Sequence, residues 1–386
     1  MTETGKRNAL WCAGEASGDF LASLVIPEFA RRFPDLVPCG VAGPKMREAG
    51  LTAWEDASTL SVRGYVEVIK RIPAILGLRH RLLARATREK PALFVGVDAP
   101  DFNLGIEAKL SRTGIPCVHM VSPSIWAWRP ERIELVRRAA RHVLLIFPFE
   151  EAIYKKAGIP ATYIGHPLAG IIPMVPDTAR ARTALGIPPE TQTVIAVLPG
   201  SRVDEVSGCG PVFFAACEKL VMLVGGKIAF VLPAMSKEGR QKILSVAAKY
   251  PKFAESLTVT VGRSHTVLES SDAVIAASGT ATLAAALFKK PLVVGYKMPA
   301  LTAWLMRNKG LIPYVSLPNI LSDEALIPEF LQYYCTPEAI AYSILEQLKP
   351  SRRAFLVERF TQMHETLLRP TASLACDAIA RVLTHS

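Results

Sequence analysis

Short apolar runs recur along the whole chain, separated by segments of helical length. The runs are Asn8–Ala13, Leu93–Asp98, Cys117–Ser122, His142–Phe147 and Thr162–Gly165 in the first half, then Thr193–Leu198, Ile228–Pro233, Leu257–Val261, Ala273–Ser278 and Leu292–Tyr296. Most are continuously apolar rather than alternating, the pattern of parallel strands covered on both faces. Strand–helix repetition predicts βαβ units and doubly wound sheets, an α/β fold. The segment Gly165–Pro176, with Pro167, Pro173 and Pro176, breaks the rhythm and reads as a linker, because proline restricts itself and the residue before it. The expected organisation is a domain over 1–168, a second over 169–350 and helices over 351–386. Two such domains on one linker enclose a cleft lined by the carboxyl ends of both sheets, where ligands of open α/β folds bind.

Composition narrows this picture. The 386 residues suit two or three domains, and half the chain is apolar, which excludes a disordered polymer. A formal charge of +11 attracts polyanions: nucleic acid, phosphorylated substrates or anionic lipid. Seven scattered cysteines without a CxxC pair point to free, buried thiols and a reducing cytosol. Met1–Arg7 carries no signal-peptide core, and no apolar run reaches the ~20 residues of a spanning helix, so membrane contact is expected to be peripheral.

The candidate chemistry lies where strands end. The first run ends in Gly14-Glu15-Ala16-Ser17-Gly18-Asp19: a tight turn into a helix whose N-terminus suits an anion, or an ordinary turn capped by Ser17 or Asp19. Glu15 is a poor cap and is free to bond sugar hydroxyls. In GVDAPDFN, Asp98 closes a buried strand, the position of catalytic groups in open sheets, while Asp101 beside it would raise its basicity by like-charge repulsion or cap the next helix. VSPSIWAWRP places Trp126 and Trp128 beside Arg129, as a site wall or as core. In the second half, Gly200-Ser201-Arg202 and Ser278-Gly279-Thr280 each follow a strand, and both turns suit phosphate through backbone N–H groups and a fixed cation. Neither has the Walker ending. Asn319 either reads a base or sugar or makes an Asx turn. No HxxxH pair and no DxD pair at a strand end occur, which argues against a catalytic metal, and no nucleophile elbow suggests covalent catalysis.

Between Ala57 and Arg88 seven Lys/Arg face one acid, Glu67. Val66, Val68, Ile69, Ile72, Ile75 and Leu76, with Lys70, Arg71 and Arg79 around them, describe an interfacial helix on anionic lipid, or a surface helix facing its core. Nucleic acid fits less well, because the stretch holds a single stacking aromatic, Tyr65.

Taken together, GEASGD, GVDAPDFN, VSPSIWAWRP, LPGSR, ASGTATL and SLPNIL resemble the lipid-A-disaccharide synthase family in order and spacing, from about residue 8 to 380. The resemblance implies a GT-B fold with C-terminal helices crossing back to the first domain. It also implies inverting, metal-independent transfer of 2,3-diacylglucosamine from UDP to 2,3-diacylglucosamine 1-phosphate (lipid X), with no cofactor, at the inner face of the inner membrane. By the same resemblance Asp98 is the general base. Glu15, Ser17 and Asn103 lie on the acceptor side. Gly200, Ser201, Arg202, Ser278, Gly279, Thr280, Asn319 and Gln332 hold UDP, and a homodimer is allowed. The family's glutamate after GTATL, a ribose ligand in many GT-B enzymes, is Ala284 here. The competing readings are another UDP-sugar GT-B enzyme and an inactive lipid or nucleotide binder.

Overall fold

The computed structural model describes residues 6–60, 65–127, 129–200, 203–224, 227–298 and 312–384; the side chains of 65–70 and 203–204 also fall outside the description. The chain forms two compact units, residues 1–170 with 367–386, and residues 171–366.

The first unit is built on a seven-stranded parallel sheet ordered β3-β2-β1-β4-β5-β6-β7. The strands are β1 (Arg7–Ala13), β2 (Leu36–Ala42), β3 (Thr52–Asp56), β4 (Leu93–Val97), β5 (Cys117–Met120), β6 (His142–Leu145) and β7 (Ala161–Tyr163). Its crossovers include α1 (Ala16–Arg32), α2 (Pro44–Glu48), α3 (Tyr65–Glu89), α4 (Pro100–Arg112), α5 (Arg132–Ala139) and α6 (Glu150–Ala157). The C-terminal helix Thr371–Thr384 packs on α1, β6 and β7, with Arg32 paired to Asp377. The second unit carries a six-stranded parallel sheet ordered β10-β9-β8-β11-β12-β13. Its strands are β8 (Thr193–Leu198), β9 (Ile228–Ala234), β10 (Leu257–Val261), β11 (Ala273–Ala276), β12 (Leu292–Tyr296) and β13 (Glu329–Leu331).

Among the strands readable in the sequence, β4, β6 and β11 are buried at every position, whereas β7 and β10 are only partly buried. Sequence pattern misses β2, β3 and β13. β2 reads LVPCGVA, whose Pro38 and Gly40 look like a loop. Yet Gly40 sits at φ +141° against the Trp11 carbonyl, where any Cβ would collide, and the β2–β3 register shifts there. β13 is a three-residue edge strand. Both sheets reverse their strand order beside the first strand, between β1 and β4 and between β8 and β11, and at such switch points loops diverge and ligands bind.

Candidate active site

In the first unit the switch point brings the β1 and β4 turns together by eliminating side chains. A Cβ on Gly14 would lie 2.5 Å from the Ala99 Cβ, and one on Gly18 would lie 3.1 Å from the Val97 carbonyl. Asp19 is buried and accepts from the N–H groups of Gly43 (2.9 Å), Lys45 (3.0 Å) and Met46 (3.1 Å), so it caps α2 and closes the floor. Glu15 and Ser17 are left exposed, and Ser17 Oγ donates to Asp98 Oδ2 at 3.3 Å.

Asp98 follows β4 in a left-handed conformation, φ +53°, and Ala99 follows at φ +44°, two successive residues in a region that costs a non-glycine side chain energy. The tip of β5 is strained too: Val121, β-branched, has φ +77°. Such backbone persists only where its surroundings dictate it. The Asp98 N–H donates to the Met120 carbonyl (2.8 Å), and the Asp98 carbonyl accepts from Asn103 Nδ2 (2.8 Å).

Two expectations change here, for Asn103 and Asp101, and Trp126 takes the core alternative. Asn103 does not face an acceptor: it is fully buried, and its amide nitrogen also reaches the carbonyls of Cys12 and Val97, tying the ends of β1 and β4 together. Asp101 does not crowd Asp98. Its side chain is 82% exposed and paired with Arg132, with Arg129 at 3.8 Å. Trp126 is packed edge-on to Phe147 and Phe149 and donates to Glu150 Oε1 at 3.1 Å, so it braces the loop instead of lining a wall. Trp128 lies outside the described residues.

Glu150, absent from the sequence reading, is buried behind this loop. Its Oε2 also accepts from the Phe147 N–H (3.2 Å), yet burial pushes its carboxyl up to about 7 against those bonds. His166, stacked on Phe147, is pushed down to about 4 by burial. The signal for Glu150 was present in its position directly after the aromatic run Phe147-Pro148-Phe149, where a surface helix start was the ordinary expectation.

In the second unit, Gly200 follows β8 at φ +123°, and a Cβ there would collide with Glu205. Ser201 and Arg202 lie outside the described residues. Ser278 follows β11 and donates from Oγ to the Val315 carbonyl (2.8 Å). Gly279, φ +115°, then opens the helix Thr280–Leu287, whose N-terminus has no side-chain cap. An uncapped N-terminus after a glycine offers N–H groups and a positive dipole end to an anion. Ala284 is buried on that helix.

Asn319 is not available to a nucleobase. It is buried, its amide nitrogen donates to the Ile327 carbonyl and to Glu329 Oε1 (2.9 Å each), and its oxygen accepts from the Ile327 N–H (2.9 Å). Both N–H donors are used, so Asn319 braces the loop before β13. Gln332 is left-handed (φ +50°), and one orientation of its amide pairs with both backbone groups of Met298 at 3.2 Å.

On α3 the basic apolar stretch divides. The side chains of Val66, Val68, Ile69 and Lys70 lie outside the described residues. Ile72 and Leu76 are 44% and 56% exposed beside exposed Arg71. Ile75 instead packs partly on the core formed with Leu78, Leu82 and Ala86, and Arg79 folds against Gly105 of α4, so neither is directed to a lipid surface.

Two parallel sheets, each with a glycine turn at its switch point, define the GT-B class. The chain is similar in structure to MurG of Acinetobacter baumannii (TM-score 0.57, 15% identity, covering 97% of this chain and 99% of that one). It is likewise similar to a putative UDP-N-acetylglucosamine 2-epimerase of Listeria monocytogenes (TM-score 0.63, 12% identity, 97% and 95%). Likeness at such identity shows the fold. Sequence goes further: residues 10–381 match the family model described as lipid-A-disaccharide synthetase. The chain is 50% identical to the lipid-A-disaccharide synthase of Cupriavidus pinatubonensis, over 96% of this chain and 92% of that protein, and 46% identical to that of Thiobacillus denitrificans, over 96% and 98%. The chain belongs to the lipid-A-disaccharide synthetase family and is a glycosyltransferase.

Proposed function

We propose that the chain transfers 2,3-diacylglucosamine from its UDP carrier to the 6-hydroxyl of 2,3-diacylglucosamine 1-phosphate, with inversion and without a divalent cation. The observation that carries the reading is Asp98, held left-handed at the tip of β4 beside the exposed Glu15 and Ser17. In this reading Asp98 takes the proton of the 6-hydroxyl while its oxygen attacks the anomeric carbon from the face opposite UDP. The bond from that carbon to the diphosphate oxygen breaks, and its electron pair leaves with UDP. Displacement in one step inverts the centre and needs no enzyme nucleophile. The negative charge that develops on the diphosphate is met by the Gly200-Ser201-Arg202 turn and the uncapped helix after Gly279. Ser17, which donates to Asp98 Oδ2, leaves Oδ1 for the substrate proton. Because both sugars are acylated, Ile72 and Leu76 with Arg71 are assigned to docking on an anionic bilayer, at the inner face of the inner membrane.

The test is the two-substrate reaction in the presence of a chelator, followed by UDP release and mass of the product. A disaccharide 1-phosphate that forms with wild-type protein, and falls ~100-fold or more with Asp98→Asn while UDP binding persists, is the expected result. Turnover by Asp98→Asn close to wild type, or absolute dependence on a divalent cation, contradicts the reading.

A further inference from the structure

We infer that Glu107 and His119, two fully buried residues behind the site, form a positioning pair that fixes the Asp98 turn; the inference rests on Asp98 being the base. The argument starts from the strain. Asp98 and Ala99 are both left-handed, a conformation that costs a non-glycine residue energy. The turn is held at two points. Its N–H is bonded to Met120 on β5, the residue after His119, and its carbonyl is bonded to Asn103 on α4, one helical turn before Glu107.

Glu107 Oε1 and His119 Nδ1 meet at 2.8 Å, with both side chains fully buried. This contact ties the inner face of α4 to β5, so the two anchors of the Asp98 turn belong to one closed ring: Asp98, Met120, His119, Glu107, Asn103. Gly96 keeps the ring open. It is the β4 partner of His119, and a Cβ on it would fall on Glu107 Oε1 and come within 3.0 Å of the Asn103 Cβ. Burial works against the imidazolium, but the charge and hydrogen bond of Glu107, joined by the charge of Asp98, outweigh it and raise the His119 pKa.

Stability does not account for this arrangement. A buried ion pair is often no better than an apolar pair of the same volume. Here Asn103 Oδ1, Glu107 Oε2 and His119 Nε2 are also buried with no protein partner among the described residues, which adds a desolvation cost. A group that sets the base within a few tenths of an ångström accounts for it, because misplacing a reacting group by about 1 Å can cost 100-fold in rate.

The experiment compares full-length wild type, Glu107→Gln and Glu107→Leu in the two-substrate reaction, with KM for each substrate, UDP affinity and melting temperature measured alongside. Gln keeps the shape and an acceptor oxygen but not the charge, whereas Leu removes the bond. A positioning role gives graded losses in kcat, about 10-fold for Gln and about 100-fold for Leu, with both KM values and UDP affinity within about threefold of wild type. A merely structural role lowers the melting temperature and leaves kcat of the folded protein alone. Should the Leu variant not fold, the Gln variant decides: kcat within twofold of wild type overturns the inference. Asp98→Asn, run in parallel, separates the two levels. If it retains turnover, the base assignment fails; if it is inactive while Glu107→Gln is fully active, only the positioning role fails.

Discussion

Replacing Glu150 by glutamine should change how stability depends on pH, and the size of the change follows from burial. Glu150 is 1% exposed, and burial pushes its carboxyl from 4.5 up to about 7. A carboxyl with a raised pKa gives its full stability below the unfolded value and loses it as pH rises through the folded one. At ~1.4 kcal/mol per pH unit, that rise is worth about 3 kcal/mol in all. A small part of it is already lost at pH 5 and nearly all at pH 8, leaving roughly 2–3 kcal/mol between those two values. His142 and His166, both depressed to about 4, act in the opposite sense: they remain neutral in the fold while the unfolded chain protonates, and stability falls as pH drops below about 6.5. Comparing two proteins at each pH cancels them. The amide also faces the Phe147 N–H with a donor, a loss that is the same at both values. Urea unfolding of wild type and Glu150→Gln, at pH 5 and pH 8, should therefore show the variant gaining roughly 2–3 kcal/mol relative to wild type on going to pH 8. An identical difference at the two pH values would mean that Glu150 is not proton-linked, and that its bonds to Trp126 and Phe147 fully compensate its burial.

Gly14→Ala forces a Cβ to 2.5 Å from that of Ala99, and should cost about 1–3 kcal/mol of stability and displace the Asp98 turn, seen as a lower melting temperature with lower kcat; an unchanged kcat would show that the turn yields without moving the base. Ile72→Ser with Leu76→Ser removes two half-exposed apolar side chains, about 2 kcal/mol of membrane contact, and should weaken binding to anionic vesicles ~30-fold with no change in melting temperature; equal binding would remove α3 from the membrane contact. Ala284→Glu places a carboxylate directly after GTATL, and should tighten UDP binding by ~10-fold or more, the scale of one charged hydrogen bond; calorimetry showing no gain would mean that no ribose contact is made from this position.

Much of the fold was legible because its central strands are buried on both faces. Leu93–Val97 and Thr193–Leu198 announce themselves as continuous apolar runs, and Asp98 stands out because it ends one of them. β2 was not legible. Pro38 and Gly40 speak for a loop, and only the close approach of the Trp11 carbonyl, a tertiary fact, makes Gly40 a strand residue. Site residues divided along a similar line. Glu15, Ser17 and Asp98 were singled out from position in the chain, since strand ends gather ligands whatever the fold packs behind them, and all three lie at the β1 and β4 turns. Asn103 and Asn319 were singled out for the same reason, but their amides are bonded within the protein. An asparagine in a loop motif reads as available, and only the count of its occupied donors shows that it is a brace. Glu107 and His119 left a usable trace: a histidine inside the apolar run Cys117–Met120, and a polar pair at i, i+4 on a helix whose neighbours Phe102, Ile106 and Leu110 face the core.

These observations converge on how the first unit keeps a carboxylate still. Left-handed Asp98, Ala99 and Val121 all lie at the tips of β4 and β5, where strand order has just reversed at β1. Strain there has no use in itself, because the same loops could be relaxed by glycine. It follows from attaching the turn by backbone groups, with the N–H to Met120 and the carbonyl to Asn103, so that the side chain stays free for chemistry. A base fastened through its own carboxylate would have to break that bond to accept a proton. In the proposed reaction, one fastened through its peptide groups meets, among the described residues, only the exposed Ser17 hydroxyl, and it keeps its aim when the proton arrives. Displacement at a sugar carbon tolerates little error in the direction of attack. The glycines at 14, 18 and 96, the buried pair on α4 and β5, and the strained tips are therefore parts of one solution: rigidity is placed in the backbone behind the site, and freedom is left to the atoms that react.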